Sequence, residues 1–268
     1  DCQRIIKELF ADVEFKRQHH LRAINSINIA RILAQSVYYF YAWFRLQEQG
    51  ITGKINFSVP TGNFGDIFAG YLAQKMGLPI HKLILATNEN NILERFVKEG
   101  VYQPGEFRST HSPSMDIQVA SNFERYLYYL YGEDPAAVSA FMAQFKNEGR
   151  IVIPEDKLKM VQSEFSAHSV MNDECLDTIS GYYQSAGYLL DPHTACGVAA
   201  SDRLTEAGET AVVLSTAHPA KFDEAIRLRG ISQTYPPQIQ ELFSKKQIMT
   251  VVGGDTEEVK QQLVKFFA

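Results

Sequence analysis

Apolar residues along the chain fall into two kinds of pattern that take turns. Short, mainly apolar runs at 55–59, 82–86 and 211–214 predict buried strands. Apolar spacings of three to four residues over 67–76, 90–99, 122–131, 136–147, 155–165 and 172–185 predict helices. Asn172 or Asp173 can cap the last of these and Gly187 can stop it. Short strands at 150–154 and 166–170 bracket the 155–165 helix, so the region around 120–186 reads as an inserted helical part. The alternation predicts an α/β fold, a parallel sheet flanked by helices.

The longest helical pattern starts from Asn25, with Asn25 or Ser26 as its cap. It places Ile29, Ile32, Leu33, Val37, Phe40, Tyr41 and Phe44 on one wide face that is expected to be buried. Residues 1–24 read as the polar, partly helical end of an upstream segment or linker, with no initiator methionine and no targeting pattern. Residues 25–230 read as a ligand-binding α/β domain, and 231–268 as a terminal unit made of a strand at 248–252 and a helix from Thr256 onward. The expectation is the later part of a longer protein.

Composition narrows the function. With 268 residues, 45% of them hydrophobic and 21% charged, the chain can build a sizeable core. A formal net charge of −5 and no long run of like charge argue against a nucleic-acid binder or a polybasic membrane patch. No apolar stretch is long enough to span a bilayer. Cys2, Cys175 and Cys196 have no ligand-like spacing, which predicts free thiols in a reducing cytoplasm. The histidines at 19, 20, 81, 111, 168, 193 and 218 form no recognisable ligand set, so no metal is assigned.

Candidate chemistry concentrates at 59–66, which reads Val-Pro-Thr-Gly-Asn-Phe-Gly-Asp between a strand and a helix. Two glycines let backbone approach an anion, Asn63 tolerates unusual backbone angles, and the N–H groups opening the helix point at the ligand. An ordinary strand-to-helix turn has the same look. The ligands this leaves open are nucleotides, sugar phosphates and pyridoxal phosphate; the absence of a following Gly-Lys-Ser/Thr excludes a nucleoside triphosphatase loop. Ser215 and Thr216 end the strand at 211–214, where polar groups face the ligand crevice of a parallel sheet. Asp191-Pro192 has the signature of a helix start, which makes His193 a helix-end hydrogen-bonding residue rather than a general base. The Ser, Pro and Thr-rich stretch from 102 to 116 reads as an ordered loop or lid, with Ser109, Thr110, His111 and Ser112 taken as solvated.

These stretches resemble, in order, the threonine synthase family, most closely its branch in fungi and many bacteria. The match extends through Ala69-Gly-Tyr, Lys75-Met-Gly-Leu-Pro, Asn25-Ser-Ile-Asn-Ile-Ala-Arg, Ala86-Thr-Asn-Glu-Asn, Asp191-Pro-His-Thr and Ser215-Thr-Ala-His-Pro-Ala-Lys-Phe. The resemblance implies the tryptophan-synthase-β-like fold of pyridoxal-phosphate enzymes (fold type II), incomplete at its amino-terminal side. It implies pyridoxal 5'-phosphate as cofactor, with Gly62, Asn63, Phe64, Gly65 and Asp66 as the phosphate loop. Thr216 is then the ring-nitrogen partner, with Ser215 as second choice. The implied reaction is conversion of O-phosphohomoserine and water into threonine and phosphate. Asn28, Arg31 and Lys221 are the candidates around the substrate phosphate, against the simpler readings of a salt bridge for Arg31 and an exposed lysine for Lys221.

One departure from the family matters. Its Schiff-base lysine lies in a Phe-Lys-Asp motif, whereas Phe15-Lys16-Arg17 comes in the wrong order relative to Asn25-Ser26 and lacks the Asp. Lys16 is therefore read as solvated, no catalytic residue is assigned in this chain, and the chain alone is expected to be inactive without the remaining part of the protein as partner. Two alternatives stay open: a sister lyase that releases a keto acid and ammonia from the same substrate, and a non-catalytic ligand-binding or interaction protein of the same fold.

Overall fold

The computed structural model describes residues 2–267. The chain divides into two compact units, Asp1–Asn28 with Pro237–Ala268, and Ile29–Pro236. In the first, helices α1 (Cys2–Ala11), α2 (Val13–Gln18), α12 (Pro237–Gln240) and α13 (Thr256–Phe267) bring the two ends of the chain together. Asp12 caps α2 by accepting the Phe15 N–H at 3.0 Å, and its other oxygen receives Lys260 from α13 at 2.8 Å. The helix expected from Thr256 is present. The strand expected at 248–252 is not: Ile248, Met249 and Val251 belong to no regular element and are exposed. An apolar run becomes a strand only where a neighbour takes up its backbone groups, and none does here.

The second unit is built on a four-stranded sheet in the order β5-β2-β1-β6, from β1 (Ile55–Pro60), β2 (Ile80–Thr87), β5 (Phe165–Ser169) and β6 (Thr210–Val213), with every pairing parallel. β1 is buried throughout, its two polar residues included: the Asn56 amide donates to the Glu209 carboxylate at 2.8 Å and the Ser58 hydroxyl to the Gly197 carbonyl at 2.6 Å. One face of the sheet packs on α4 (Gly65–Lys75), α5 (Ile92–Glu99) and α6 (Phe123–Leu130), and the other on α9 (Asn172–Ala186) and α10 (Pro192–Leu204). Helices α7 (Pro135–Glu148), α8 (Glu155–Glu164) and α11 (Asp223–Arg227) and the small antiparallel pair β3 (Val101–Tyr102) and β4 (Ile151–Val152) complete the unit. The strand that follows α8 joins the central sheet beside β2.

Three local expectations change. Helix α3 (Ile29–Glu48) starts three residues after Ser26, because the Asn25 side chain closes a turn on the Ile27 N–H at 3.1 Å instead of capping a helix. Only Ile32, Ser36 and Tyr39 of α3 are buried, whereas Ile29, Leu33, Val37, Tyr41 and Phe44 form an exposed apolar stripe. The periodicity marked two apolar faces, and packing on α4 covers just the narrower one. Helix α9 begins at Asn172 itself, whose side chain instead accepts the His111 N–H at 3.1 Å; Gly187 ends it in the left-handed conformation, as expected.

Candidate functional site

The segments leaving β1 and β6 emerge side by side at the carboxyl edge of the sheet, since Ser58 pairs with Val213 and the Leu214 N–H donates to the Ser58 carbonyl at 2.9 Å. Loop 61–64 leaves β1. The Thr61 N–H donates to the Ala86 carbonyl of β2 at 2.8 Å, and its hydroxyl to the Val59 carbonyl at 2.7 Å. Asn63 was expected to take the unusual backbone angles, but Phe64 does so, with φ 65°. That costs an aromatic residue strain, offset by burying its ring among Phe123, Tyr126 and Phe165 with centroids 5.7 to 6.0 Å away. Asn63 braces the loop instead: its side chain accepts the Gly65 N–H at 2.8 Å, and its carbonyl accepts the Asn122 backbone and side-chain N–H groups at 3.0 and 3.1 Å.

Both glycines of the loop have partners within the protein. A Cβ on Gly62 would lie 2.7 Å from the Ser114 carbonyl oxygen, so the bare α-carbon admits the 113–115 turn against the loop. With the Gly65 N–H taken by Asn63, the first-turn amides of Asp66 and Ile67 remain to face an anion along the helix dipole. The Asp66 carboxyl is half-buried, and burial raises its pKa from the ordinary range to about 6, partly opposed by the Tyr39 hydroxyl. Tyr39 reaches it because Gly70, one turn on along α4, leaves room for the phenol ring.

At the β6 side, Asp191 caps α10 by accepting the N–H groups of His193 and Thr194 at 2.9 and 3.3 Å. The Thr194 hydroxyl donates to Asp191 and lies 3.4 Å from the Ser215 hydroxyl. Its position follows from Gly197, where a Cβ would meet Val213 at 2.8 Å and Pro60 at 3.2 Å; only glycine lets α10 lie this close beneath both strands. Hydrogen bonding to His193 and Thr194 holds the Asp191 carboxyl below its usual range against the opposing effect of burial. Thr216 follows Ser215 and is exposed. The structure therefore joins Gly62 to Asp66 and Ser215 to Thr216 at one sheet edge. Lys221 is exposed on the next turn, with its ammonium 5.8 Å from the Phe222 ring.

The two remaining candidates stand on other segments. Arg31 is exposed on the first turn of α3. Asn28 belongs to the other unit, where it lines a cavity of about 410 Å³ with Phe10, Lys16 and Arg22. Lys16 is half-buried there, its ammonium 5.4 Å from the Phe10 ring, not fully solvated as expected.

Of the loop residues after β3 that were read as solvated, Ser109 is exposed, Thr110 and His111 are half-buried and Ser112 is internal. Asn88, at the end of β2, places its amide nitrogen 2.8 Å from both Thr110 Oγ1 and Asp116 Oδ1 and 3.0 Å from Ser112 Oγ. Ser112 is buried, and Asp116 also takes the Thr110 N–H at 2.9 Å. Ser114, Asn122 and Tyr39 were not singled out for the site, and no local signal marks them, since each acts through a partner far along the chain.

A family model described as threonine synthase, C-terminal, matches residues 194–263. Threonine synthase of Schizosaccharomyces pombe is 40% identical over 99% of this chain and 58% of its own length. The structure superposes on pyridoxal-phosphate-bound threonine synthase from Brucella melitensis with a TM-score of 0.88, 44% identity, and coverage of 98% of this chain and 56% of that one. The yeast threonine synthase structure gives 0.87 at 40% identity, with coverage of 98% and 57%. The chain belongs with the carboxyl-terminal part of the threonine synthases. It has their fold type II architecture and spans a little over half the length of the relatives it matches.

The donor set here suits a threonine synthase cofactor. Helix-start amides at one strand end match a phosphate, and hydroxyls rather than a carboxylate at the neighbouring strand end match a neutral pyridine nitrogen. Bound there, pyridoxal phosphate would supply an electron sink for carbon acids. Asn63 and Asn122 keep the loop in shape, the Asp66 and Ile67 amides open α4 at one strand end, and Ser215 and Thr216 stand at the neighbouring one.

Proposed function

We propose that this chain forms the cofactor-phosphate and ring-nitrogen side of a cytoplasmic threonine synthase, a carbon–oxygen lyase converting O-phosphohomoserine and water into threonine and phosphate. The observation that carries this reading is the pairing of β1 with β6, which sets the Gly-Asn-Phe-Gly-Asp loop beside Ser215 and Thr216. Gly62, Asn63, Phe64, Gly65 and Asp66 form the cofactor-phosphate loop, in which the Asp66 amide, with that of Ile67, takes the phosphate while the others shape it; Thr216, or failing it Ser215, takes the ring nitrogen. Arg31 and Lys221, both exposed cations, are the proposed substrate-phosphate contacts.

Because no lysine of this chain sits in the family's Phe-Lys-Asp setting, it takes up the cofactor reversibly and forms no threonine alone. The test is a pyridoxal 5'-phosphate titration followed by absorbance, with and without Thr216→Val and Ser215→Ala, then borohydride reduction and intact mass. Saturable binding weakened by the hydroxyl variants, with an unchanged mass, is the expected result. Absence of saturable binding, or indifference to both variants, overturns it.

A further inference from the structure

His193 touches three segments around the proposed cofactor site, and no step assigned above uses it. Its Nδ1 lies 3.0 Å from Asp191 Oδ1, while its Nε2 accepts the backbone N–H of Ser114 at 3.1 Å. A ring that accepts at Nε2 and faces a carboxylate at Nδ1 carries its proton on Nδ1. The Phe222 ring packs on it with centroids 4.7 Å apart, and only 3% of the residue is exposed, so water has no route to replace these partners. Ser114 is the residue whose carbonyl lies against Gly62, and Asp191 is the residue that takes the Thr194 hydroxyl beside Ser215.

We propose that His193 is a positioning residue that couples the loop at Gly62 to the hydroxyl at Ser215, by holding Ser114 and Asp191 at once. The functional meaning of the coupling rests on the cofactor reading above; the coupling itself does not. Cutting the imidazole from Ser114 frees the 113–115 turn, and the loop that packs on that turn through Gly62 loses its backing.

Two substitutions separate the two ends of the ring. His193→Asn keeps a donor for Asp191 but cannot reach Ser114, whereas His193→Gln places an acceptor near the Nε2 position. Amide chemical shifts and hydrogen exchange are measured in the cofactor-free chain. His193→Asn is expected to speed exchange at Ser114 roughly tenfold, the equivalent of one lost hydrogen bond, and to perturb residues 62–65 and 215, with His193→Gln restoring most of both. Perturbation confined to Ser114, with 62–65 and 215 unmoved, overturns the proposal. The nitrogen shifts of the wild-type ring do the same if they show Nε2 protonated, which keeps the proposal open to refutation even if neither variant folds. A pyridoxal 5'-phosphate titration then gives the functional consequence: affinity about tenfold weaker in His193→Asn and near wild type in His193→Gln. If wild type binds no cofactor while the exchange coupling is present, the coupling stands and the cofactor reading fails.

Discussion

The phenol of Tyr39 donates to the Asp66 backbone carbonyl at 2.8 Å and lies 3.3 Å from its carboxylate oxygen Oδ1, tying helix α3 to the first turn of α4. The contact sits beside the loop that is proposed to hold a phosphate, and it partly opposes the burial that pushes the Asp66 carboxyl up to about 6.

Burial raises the Asp66 pKa from 3.8 to about 6, so the folded state binds this proton more tightly than the unfolded chain does. Stability then falls as pH rises from about 4 to about 6 and is flat above, by an amount on the order of 3 kcal/mol at most. Asp66→Asn removes that term. The gain in melting temperature of Asp66→Asn over wild type should therefore be larger at pH 7.5 than at pH 4.5; an equal gain at both would contradict the assignment.

Gly70 sets glycine's usual effect against sterics. Alanine in a helix interior is favoured over glycine by roughly 0.5–1 kcal/mol. Here the added Cβ would lie 2.5 Å from the Tyr39 ring and 2.9 Å from Leu83, all within the core. Overpacking costs about 1–3 kcal/mol and wins. Urea unfolding of Gly70→Ala should show a lower midpoint than wild type, and a raised one would mean that the ring moves aside freely.

Gly62→Ala brings its methyl against backbone, the Ser114 carbonyl at 2.7 Å and the Met115 α-carbon at 3.3 Å, neither of which can rotate away. The loop must shift. Its pyridoxal 5'-phosphate affinity should fall at least about tenfold, a cost near 1.4 kcal/mol, measurable in the same absorbance titration as wild type.

Asn88→Ala leaves Thr110, Ser112 and Asp116 without their shared donor in a buried setting. The expected cost is roughly 2–4 kcal/mol, more than one hydrogen bond because several groups lose a partner together. Limited proteolysis should find new cleavage between 105 and 118, while a variant cut as slowly as wild type would show that the loop is held by other contacts.

On α3 the two faces should respond oppositely. Ile32 is fully buried and Val37 is 60% exposed. Ile32→Ala is expected to cost about 2–5 kcal/mol, and Val37→Ser to change unfolding free energy by no more than about 0.5 kcal/mol. Equilibrium denaturation of both variants decides whether the exposed stripe contributes to the stability of this chain.

What the sequence determined by itself is what near neighbours in the chain decide. The strand runs of β1, β2 and β6 emerged within a few residues of their structural bounds, as did α4 to α9 and the start of α10, because strand burial and helix periodicity are written into adjacent positions. The Asp191 cap and the Gly187 stop were legible for the same reason, since capping acts across three or four residues. The strand–loop–helix setting of Gly62 to Asp66 was legible too. Tertiary structure alone decided which face of α3 is covered, why 248–252 forms no strand, and that Phe64 rather than Asn63 takes the strained angle. It also decided that Gly62 makes room for Ser114, and that His193 grips Ser114 from 79 residues away. Those outcomes depend on which distant groups packing brings within 3 Å. Neither periodicity nor capping carries that information, because both end where the local element ends.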